Sequence, residues 1–354
     1  MSRVVVIDET RDMSSPPAQH RLLVVTNDGD DRHVVPAGHP EHSGRLTAAM
    51  ASIRSVLANA DWIEESAGPA DDKALAVVHT QSYLASLEAD AAAGGSQLDP
   101  DTHSSPGSLA TARLAAGASL AAVAAMDAGR THHAMAVVRP PGHHALADAA
   151  MGFCLLNNVA VAAATLAAHG ERVAVIDWDV HHGNGTQAIF YDDPRVMYVS
   201  THESPHYPGT GALSETGGPN AERTTLNVPL RAGSAGDTFR AVFDDVILGR
   251  LESFAPTRVI VSAGFDAHRD DPLAHLGLTA ADFESLTRRV IDVAPDGRLL
   301  VVMEGGYNLT ALGRSIATVA AVLADVDVPT YDGEAATSGG VDADALAAAV
   351  AAHR

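Results

Sequence analysis

The sequence predicts an α/β fold: a three-layer single domain with a mostly parallel central sheet flanked by helices. Short, continuously apolar runs alternate along the chain with longer segments of helical periodicity. The apolar runs are rich in β-branched residues, as expected for strands buried on both faces of a parallel sheet. Polar motifs begin where these runs end, at the edge where such sheets bind ligands. The motifs favour one domain in this chain of 354 residues.

Six apolar runs are the predicted strands, and six periodic segments are the predicted helices between them. The strands are residues 22–26, 134–138, 173–176, 196–200, 259–262 and 299–303. The helices are residues 46–57, 80–87, 109–126, 159–168, 239–251 and 283–293. Because helices alternate with strands over most of this length, neighbouring strands should run parallel, with helices on both faces of the sheet.

Three regions follow from these segments. Residues 20–325 contain all of the alternating strands and helices and form the predicted main domain. Residues 1–19 are polar and contain two prolines, which favours a loosely ordered lead-in, with residues 4–7 as a candidate edge strand. Residues 326–354 are acidic and alanine-rich, and we expect a tail with one surface helix at 342–352.

Composition excludes several classes of protein. A net charge of −21, with 44 acidic against 23 basic residues, argues against a nucleic-acid surface, which needs clustered Lys and Arg. Cys154 is the single cysteine, so a disulfide framework is excluded. We expect neither a signal peptide nor an apolar run long enough to span a membrane. A cytoplasmic protein follows, and a homo-oligomer is compatible with the sequence.

The predicted strand at 173–176 runs directly into D-W-D-V-H-H-G-N-G-T. Since side chains alternate across an extended chain, Asp179 and His181 would point the same way and could converge on one cation. Asp266 follows another strand at the corresponding position and could add a second carboxylate. Such a set leaves open positions for water and substrate, as a catalytic Zn²⁺ requires. Ordinary loop hydrogen bonds are the alternative explanation of an isolated Asp-x-His.

Two further motifs follow predicted strands. His143 and His144 come after R-P-P-G, a rigid loop that suits an acid/base pair, with exposed polar decoration as the alternative. Asp177 and Asn184 are candidate partners that would orient the two imidazoles. Tyr307 follows two glycines and could donate its hydroxyl to an oxyanion, whereas a surface turn with a half-buried Tyr is the simpler explanation.

Taken in order, these motifs resemble those of the histone deacetylase superfamily, the arginase-like metal amidohydrolases that include bacterial class II-like deacetylases and acetylpolyamine amidohydrolases. The similarity covers about residues 21–323. It rests on H-P-E-H at 39–42, R-P-P-G-H-H-A at 139–145, G-F-C-L-L-N-N-V-A at 152–160, D-W-D-V-H-H-G-N-G-T at 177–186, S-A-G-F-D-A-H at 262–268 and E-G-G-Y-N at 304–308.

The resemblance implies a deacetylase catalytic domain with one Zn²⁺ per chain, bound by Asp179, His181 and Asp266, with Fe²⁺ as the alternative metal. It implies that His143 and His144 act as the acid/base pair, supported by Asp177 and Asn184 respectively. Tyr307 would polarise the scissile carbonyl.

The resemblance also implies a narrow channel for the substrate and a structural cation. Gly152, Phe153 and Tyr207 resemble the channel walls, and Asp101 resembles a rim aspartate that holds the substrate backbone. A structural K⁺ would lie near the metal loop, with the contributing residues Asp177, Asp179, His181, Ser200 and Thr201.

The implied activity is hydrolysis of acyl-lysine or similar small acyl amides by metal-activated water. An acetylpolyamine amidohydrolase is the first alternative, a catalytically silent binding module on the same fold is the second, and an arginase-type ureohydrolase with two Mn²⁺ is the third. Relatives selective for acetylpolyamines resemble one another in having an acidic residue after the Asp-Pro that follows the metal aspartate. Here Asp271-Pro272 is followed by Leu273, which offers no partner for an internal ammonium.

We therefore expect kcat/KM to be higher for an acetyl-lysine peptide than for acetylspermidine. Steady-state kinetics of the zinc-loaded protein with both substrates measure this preference, and a strong preference for acetylspermidine would contradict it.

Overall fold

A computed structural model, which describes residues 21–295 and 298–353, shows eight parallel strands in one sheet with helices on both faces. The predicted three-layer fold is confirmed. The strands are β1 (Leu22–Thr26), β2 (Trp62–Ser66), β3 (His133–Val137), β4 (Val173–Asp177), β5 (Val196–Glu203), β6 (Thr225–Leu230), β7 (Arg258–Ala263) and β8 (Leu299–Met303). The predicted strand at 4–7 lies outside the described residues.

The order of the strands brings the polar motifs to one edge of the sheet. The order is β2-β1-β3-β8-β7-β4-β5-β6, and every neighbouring pair is parallel. Strands β3, β8, β7, β4 and β5 are therefore consecutive in space although they are not consecutive in sequence. Because parallel strands end at the same edge, the loops that follow these five strands meet there.

The two strands that the sequence pattern did not predict are the two edges of the sheet. Strand β2 has the sequence W-I-E-E-S and is partly exposed. Strand β6 contains Asn227 and Pro229, and a proline is tolerated in an edge strand because no ladder hydrogen bond is lost there. Edge strands lack the continuous apolar run that marks the buried strands, so the apolar signal is weakest at these two positions.

Eleven α-helices are present in the described residues. They are α1 (Gly44–Val56), α2 (Asp72–Leu75), α3 (Gln81–Ala93), α4 (Ser108–Asp127), α5 (Asn158–Ala168), α6 (Asn184–Phe190), α7 (Gly236–Val242), α8 (Leu248–Phe254), α9 (Ala280–Val293), α10 (Leu309–Leu323) and α11 (Ala343–His353). The six predicted helical segments before residue 300 are present, although 80–87 was too short. The predicted helix at 239–251 is interrupted by a π-helical turn at Phe243–Ile247. Helices α2, α6 and α10 were not predicted.

The start of helix α10 is marked in the sequence by Asn308, which is its N-cap residue. The Asn308 side chain accepts hydrogen bonds from the backbone N–H groups of Thr310 and Ala311, which is the function of an N-cap residue. The helix packs against α1 and α9 and is buried along most of its length. This position makes α10 part of the layer that supports the E-G-G-Y loop immediately before it.

Alternate strand residues supply two separate apolar layers. In β1, Leu22 and Val24 face the layer that contains α1, α9 and α10, whereas Leu23 and Val25 face the layer of α3, α4 and α5. This alternation is the period-two geometry of a strand. Both faces are therefore covered, which leaves the ends of the strands as the place for a binding site.

Among the described residues, α4 is the one helix long and apolar enough to cross a membrane by length and composition alone. The prediction that no apolar run reaches that length was therefore wrong. However, 67% of its most apolar window is buried inside the protein, as in a core helix. The cytoplasmic location stays a prediction from the sequence.

The segment after α10 is closely attached to the rest of the fold. Helix α11 packs along β6, where His353 Nε2 lies 2.9 Å from the carbonyl oxygen of Asn227. An edge strand covered in this way is protected from pairing with another chain. The predicted boundaries at residues 325 and 326 stay a prediction.

A substitution at Gly117 tests how closely helix α4 packs against the segment around Gly68. A Cβ atom at Gly117 would lie 1.9 Å from the carbonyl oxygen of Gly68. Because backbone must move to accept it, we expect Gly117→Ala to lower the free energy of unfolding by about 1–3 kcal/mol. Gly249→Ala is the matched control, since Gly249 lies in α8 with no atom within 4 Å of its Cβ position. Urea unfolding should show the control unchanged or stabilised by up to about 1 kcal/mol, and equal effects would contradict the packing argument.

Candidate active site

Asp179, His181 and Asp266 form a buried cluster at the carboxyl ends of β4 and β7. His181 Nδ1 lies 3.0 Å from Asp179 Oδ1 and 3.3 Å from Asp266 Oδ2. Ligands bound at about 2.0–2.2 Å to one tetrahedral ion would lie about 3.3–3.6 Å apart. Small adjustments would therefore bring these three atoms to the separations that a shared metal ion requires.

Backbone N–H groups orient both carboxylates. Asp266 Oδ1 accepts from Val180 N at 3.0 Å, and Asp179 Oδ2 accepts from Gly305 N at 2.9 Å. A side chain at residue 305 would collide with the carboxylates, since its Cβ would lie 1.8 Å from Asp266 Oδ2. That oxygen is buried and makes no hydrogen bond. A buried carboxylate oxygen without a donor, facing an imidazole and a second carboxylate, fits a metal ligand.

The charges of the three side chains lead to the same conclusion. Burial raises the pKa of Asp266, and the neighbouring Asp179 raises it further. Burial alone would lower the pKa of His181, but its contacts with Asp179 and Asp266 raise it to about 10. A proton on the imidazole thus compensates the two carboxylates. A metal ion would replace this proton, because ligation requires the neutral imidazole.

A second group, His268, Asp270 and Glu334, also has its side chains close together. Both nitrogens of the imidazole have hydrogen-bond partners and are not free to bind a metal: His268 Nδ1 accepts from Asp270 N, and His268 Nε2 lies 2.9 Å from Glu334 Oε2. Asp270 is more than half exposed. This group therefore has the contacts of a structural link, and the metal-site geometry belongs to Asp179, His181 and Asp266.

His143 lies against a carboxylate. Its Nδ1 is 3.0 Å from Asp177 Oδ2, and the acidic partner fixes this nitrogen as the donor. Tyr198 donates to the same oxygen and accepts from Gly183 N. Burial opposes protonation of His143, but Asp179 and Asp177 raise its pKa to about 10. A cation between Asp179 and Asp266 would offset part of this effect, because it compensates the same carboxylates.

His144 has a different partner and a different charge. Its Nδ1 lies 2.7 Å from Asn184 Oδ1, while the Asn184 amide nitrogen donates to Met151 Sδ at 3.2 Å. The sulfur contact fixes the orientation of the amide, so His144 Nδ1 is the donor and His144 Nε2 keeps its lone pair. Burial lowers the pKa of His144 well below its usual range, and His143 and His181 lower it further.

A cavity of about 200 Å³ opens onto this group. Its lining contains all five residues predicted to bind substrate together with four others: Asp101, His144, Gly152, Phe153, His181, His206, Tyr207, Leu273 and Tyr307. The structure thus brings the five predicted substrate-binding residues together around one cavity, and their role in binding substrate stays a prediction.

Gly152 and Phe153 form a strained turn beside His144. Both have positive φ angles, 56° and 67°, and positive φ is uncommon outside glycine. A Cβ atom at Gly152 would also lie 2.3 Å from the His144 ring. Asp101 holds this turn by accepting from Gly152 N at 3.2 Å, so the rim residue of the prediction supports the channel wall.

Tyr307 lines the cavity opposite these residues. Its ring packs against Phe153 at 5.8 Å between centroids, and the Arg45 guanidinium lies 4.8 Å from its ring centroid. The backbone is held by Asp271, whose Oδ2 accepts from Tyr307 N at 2.6 Å. Burial raises the pKa of Tyr307 well above its usual range, so its hydroxyl stays protonated and able to donate.

Several residues beneath the site were not predicted to support it, although Glu41 and Arg139 stand in the quoted motifs. Arg139 binds Glu41 through two hydrogen bonds of 2.9 Å, and Arg45 donates to the same carboxylate at 3.2 Å. Arg45 also donates to the carbonyl oxygens of Glu304 and Gly306, which fixes the loop before Tyr307. Breaking such a fully buried ion cluster at one partner typically costs about 3–5 kcal/mol.

Glu304 and His206 were also missed. Glu304 Oε2 accepts from the backbone nitrogens of Gly142 and His143, so it connects the E-G-G-Y loop to the histidine loop. The His206 ring stacks on His181 at 5.1 Å between centroids and lines the cavity. Glu304 is carried by its own motif and could have been predicted, whereas His206 had no signal beyond its residue type.

The residues expected to hold a monovalent cation lie on adjacent strands. Ser200 is paired in register with Asp177, the last residue of β4. Ser200 Oγ lies 2.9 Å from His202 Nδ1, and Thr201 Oγ1 is buried without a hydrogen-bond partner. The role of these residues stays a prediction.

Three candidate metal ligands lie beside an imidazole whose pKa is lowered, next to a cavity, and this arrangement is compatible with a metal-dependent hydrolase. The model of the histone deacetylase domain matches residues 39–323. This chain belongs to the histone deacetylase family.

Relatives of known name and structure agree. A histone deacetylase-like amidohydrolase from Pseudomonas aeruginosa is 43% identical over 281 residues, which cover 77% of this chain and 73% of that protein. A probable deacetylase from Archaeoglobus fulgidus is 38% identical, with coverage of 78% and 79%. The crystal structure of the HDA15 HD domain has a TM-score of 0.85 at 35% identity and covers 94% of both chains.

Metal titration tests the cluster directly. We expect the protein to bind one Co²⁺ per chain with a visible absorption band. Asp266→Ala removes a proposed ligand. It should weaken Co²⁺ binding by more than the roughly 10–100-fold that is typical when a residue that only orients a ligand is removed. The control Asp270→Ala changes an exposed carboxylate in the same loop and should bind Co²⁺ like the wild type. Binding of two ions per chain, or unchanged binding by Asp266→Ala, would exclude the site as described.

Proposed function

We propose that this protein is a zinc-dependent deacetylase that hydrolyses acyl-lysine or similar small acyl amides. One observation carries the proposal: His144, whose Nδ1 is held by Asn184, and His181, which lies against both Asp179 and Asp266, line the same cavity. Family membership supports an acyl-amide substrate in general. Fe²⁺ is the alternative metal.

The cavity suits a long, thin substrate. Phe153 and Tyr207 are aromatic walls, and Leu273 at the cavity lining is apolar. An aliphatic lysine side chain would contact these surfaces and exclude water from the reacting amide, while its polar ends are left for the base of the cavity and the rim. Asp101 at the rim is the candidate acceptor for a backbone N–H of the substrate.

The acid/base steps follow from the hydrogen bonds of the two histidines. Bound Zn²⁺ would polarise the acyl carbonyl and lower the pKa of water toward about 7. His144 Nε2 takes the proton from the attacking water, because Asn184 holds the other nitrogen as a donor. His144 then gives that proton to the leaving amine. His143, held by Asp177, remains positively charged and stabilises negative charge on the substrate.

Tyr307 supplies the remaining interaction with the substrate. Its protonated hydroxyl donates to the oxygen of the tetrahedral intermediate, where a well-placed donor contributes about 3 kcal/mol. Arg45 and Asp271 position this residue through its ring and its backbone. A structural K⁺ near Asp177, Ser200 and Thr201 is part of the proposal, supported by the unpartnered Thr201 hydroxyl.

Two rival functions fit less well. A silent binding module would need a missing ligand or a missing Tyr307, and all are in place. A ureohydrolase would need two metal ions, whereas this cluster offers three ligand atoms that face one another.

Tyr307→Phe tests the mechanism. Removing one oxyanion donor should lower kcat about 10²–10³-fold while Co²⁺ binding stays at the wild-type level. Kinetics with an acetyl-lysine peptide, before and after chelation of the metal, provide the measurement. Tyr331→Phe is the control, because Tyr331 lies outside the cavity. Turnover by Tyr307→Phe near the wild-type rate would remove Tyr307 from the mechanism.

A further inference from the structure

Glu334 lies in the segment after α10, beyond residues 39–323 that match the family domain. Its side chain is almost fully buried. One carboxylate oxygen, Oε2, lies 2.9 Å from His268 Nε2 and accepts from Ala280 N at 3.0 Å. The other, Oε1, accepts from Arg314 at 3.1 Å. A buried carboxylate with this many donors is a rigid anchor.

His268 is the side chain through which this anchor reaches the site. It is fully buried and lies two residues after the proposed metal ligand Asp266. Its Nδ1 accepts from Asp270 N, so Nε2 carries the proton and donates to Glu334. The imidazole thus bridges the backbone of its own loop to the segment after α10.

The loop at residues 266–273 supplies three parts of the site. Asp266 offers a carboxylate to the metal, and Asp271 accepts from Tyr307 N and Asn308 N. Leu273 lines the cavity, and its backbone N–H donates to Asp271 Oδ1. A shift of this loop would therefore move a metal ligand and the oxyanion donor together.

The other end of the bridge is fixed to elements that do not belong to the loop. Ala280 is the first residue of α9, and Arg314 belongs to α10. Three residues after Glu334, the Thr337 backbone nitrogen and hydroxyl donate to Asp282 in the first turn of α9. The carboxylate of Glu334 is therefore held by two helices and by its own segment.

We propose that Glu334 is a positioning residue which, through His268, holds the loop at residues 266–273 in the geometry needed for metal binding and for the placement of Tyr307. This inference rests on the proposed function, because it assigns a metal to Asp266. It extends the functional unit of the chain beyond the family domain to a residue of the C-terminal segment.

Glu334→Leu tests the bridge with little change in volume. Because the leucine side chain cannot accept from His268, Ala280 or Arg314, we expect Co²⁺ binding to weaken about tenfold, the lower end of the losses seen when a residue that orients a metal ligand is removed. With an acetyl-lysine peptide and saturating metal, kcat should fall by a larger factor than KM changes, since Phe153 lies outside this loop and Leu273 is the part of it that lines the cavity. Circular dichroism of the metal-free protein checks that the variant is folded.

Arg314→Gln is the matched control. It removes the ion pair with the same carboxylate and leaves the His268 bond in place. We expect Co²⁺ affinity within about twofold of the wild type. An equal loss in both variants would show a general loss of stability and would overturn the positioning role, as would wild-type affinity in Glu334→Leu.

A double-mutant cycle with His268→Asn shows whether Glu334 affects Co²⁺ affinity through His268 or through the overall stability of the protein. Asn is too short to reach Glu334, so Glu334→Leu should cause no further loss of Co²⁺ affinity in that background. Additive losses would overturn the route through His268. If the wild-type protein itself bound no Co²⁺, the proposed function would fail first, and that result is distinct from a difference between variants.

Discussion

Two carboxylates buried side by side at the ends of neighbouring strands are the constraint on which the rest of this structure depends. Asp179 and Asp266 are both fully buried and repel each other, and one imidazole lies within 3.3 Å of both carboxylates. Such a group is stable only if a proton or a metal ion compensates the charge. The loops around it therefore provide backbone donors, and the elements behind those loops provide buried ion pairs that keep the donors in place.

The hydrogen bonds around the site form a connected support. The Glu304 carboxylate links the histidine loop to the E-G-G-Y loop, and Arg45 holds that second loop from the other side. Asp271 links the same loop to the one that carries Asp266. The contacts of Glu304 and Asp271 join the end of one strand to the end of another, and Arg45 joins the E-G-G-Y loop to helix α1. The site is therefore rigid because the loops that carry it hold one another, and not because any single loop is stiff.

The difference between His143 and His144 has a simple electrostatic cause. One imidazole faces a carboxylate and holds a proton, whereas its neighbour faces an amide and stays neutral. Their rings lie 4.0 Å apart, so the charge of His143 further disfavours protonation of His144. Two adjacent residues of the same type can then serve as a fixed charge and as a base.

The sequence by itself determined the fold class and the central strands, because these depend on local patterns that end in polar residues. The same patterns singled out Asp179, His181 and Asp266 and the partners of both histidines, whose catalytic roles stay predictions. Edge strands β2 and β6 escaped prediction, since Glu64 and Glu65 in β2 and Asn227 and Pro229 in β6 interrupt the apolar run. Only the tertiary structure decided that Arg45, His206 and Glu334 belong to the support of the site. Their contacts join residues far apart in sequence, 66 positions in the case of His268 and Glu334. No local pattern encodes such a contact, because it depends on how the strands are ordered in the sheet and on where the C-terminal segment packs.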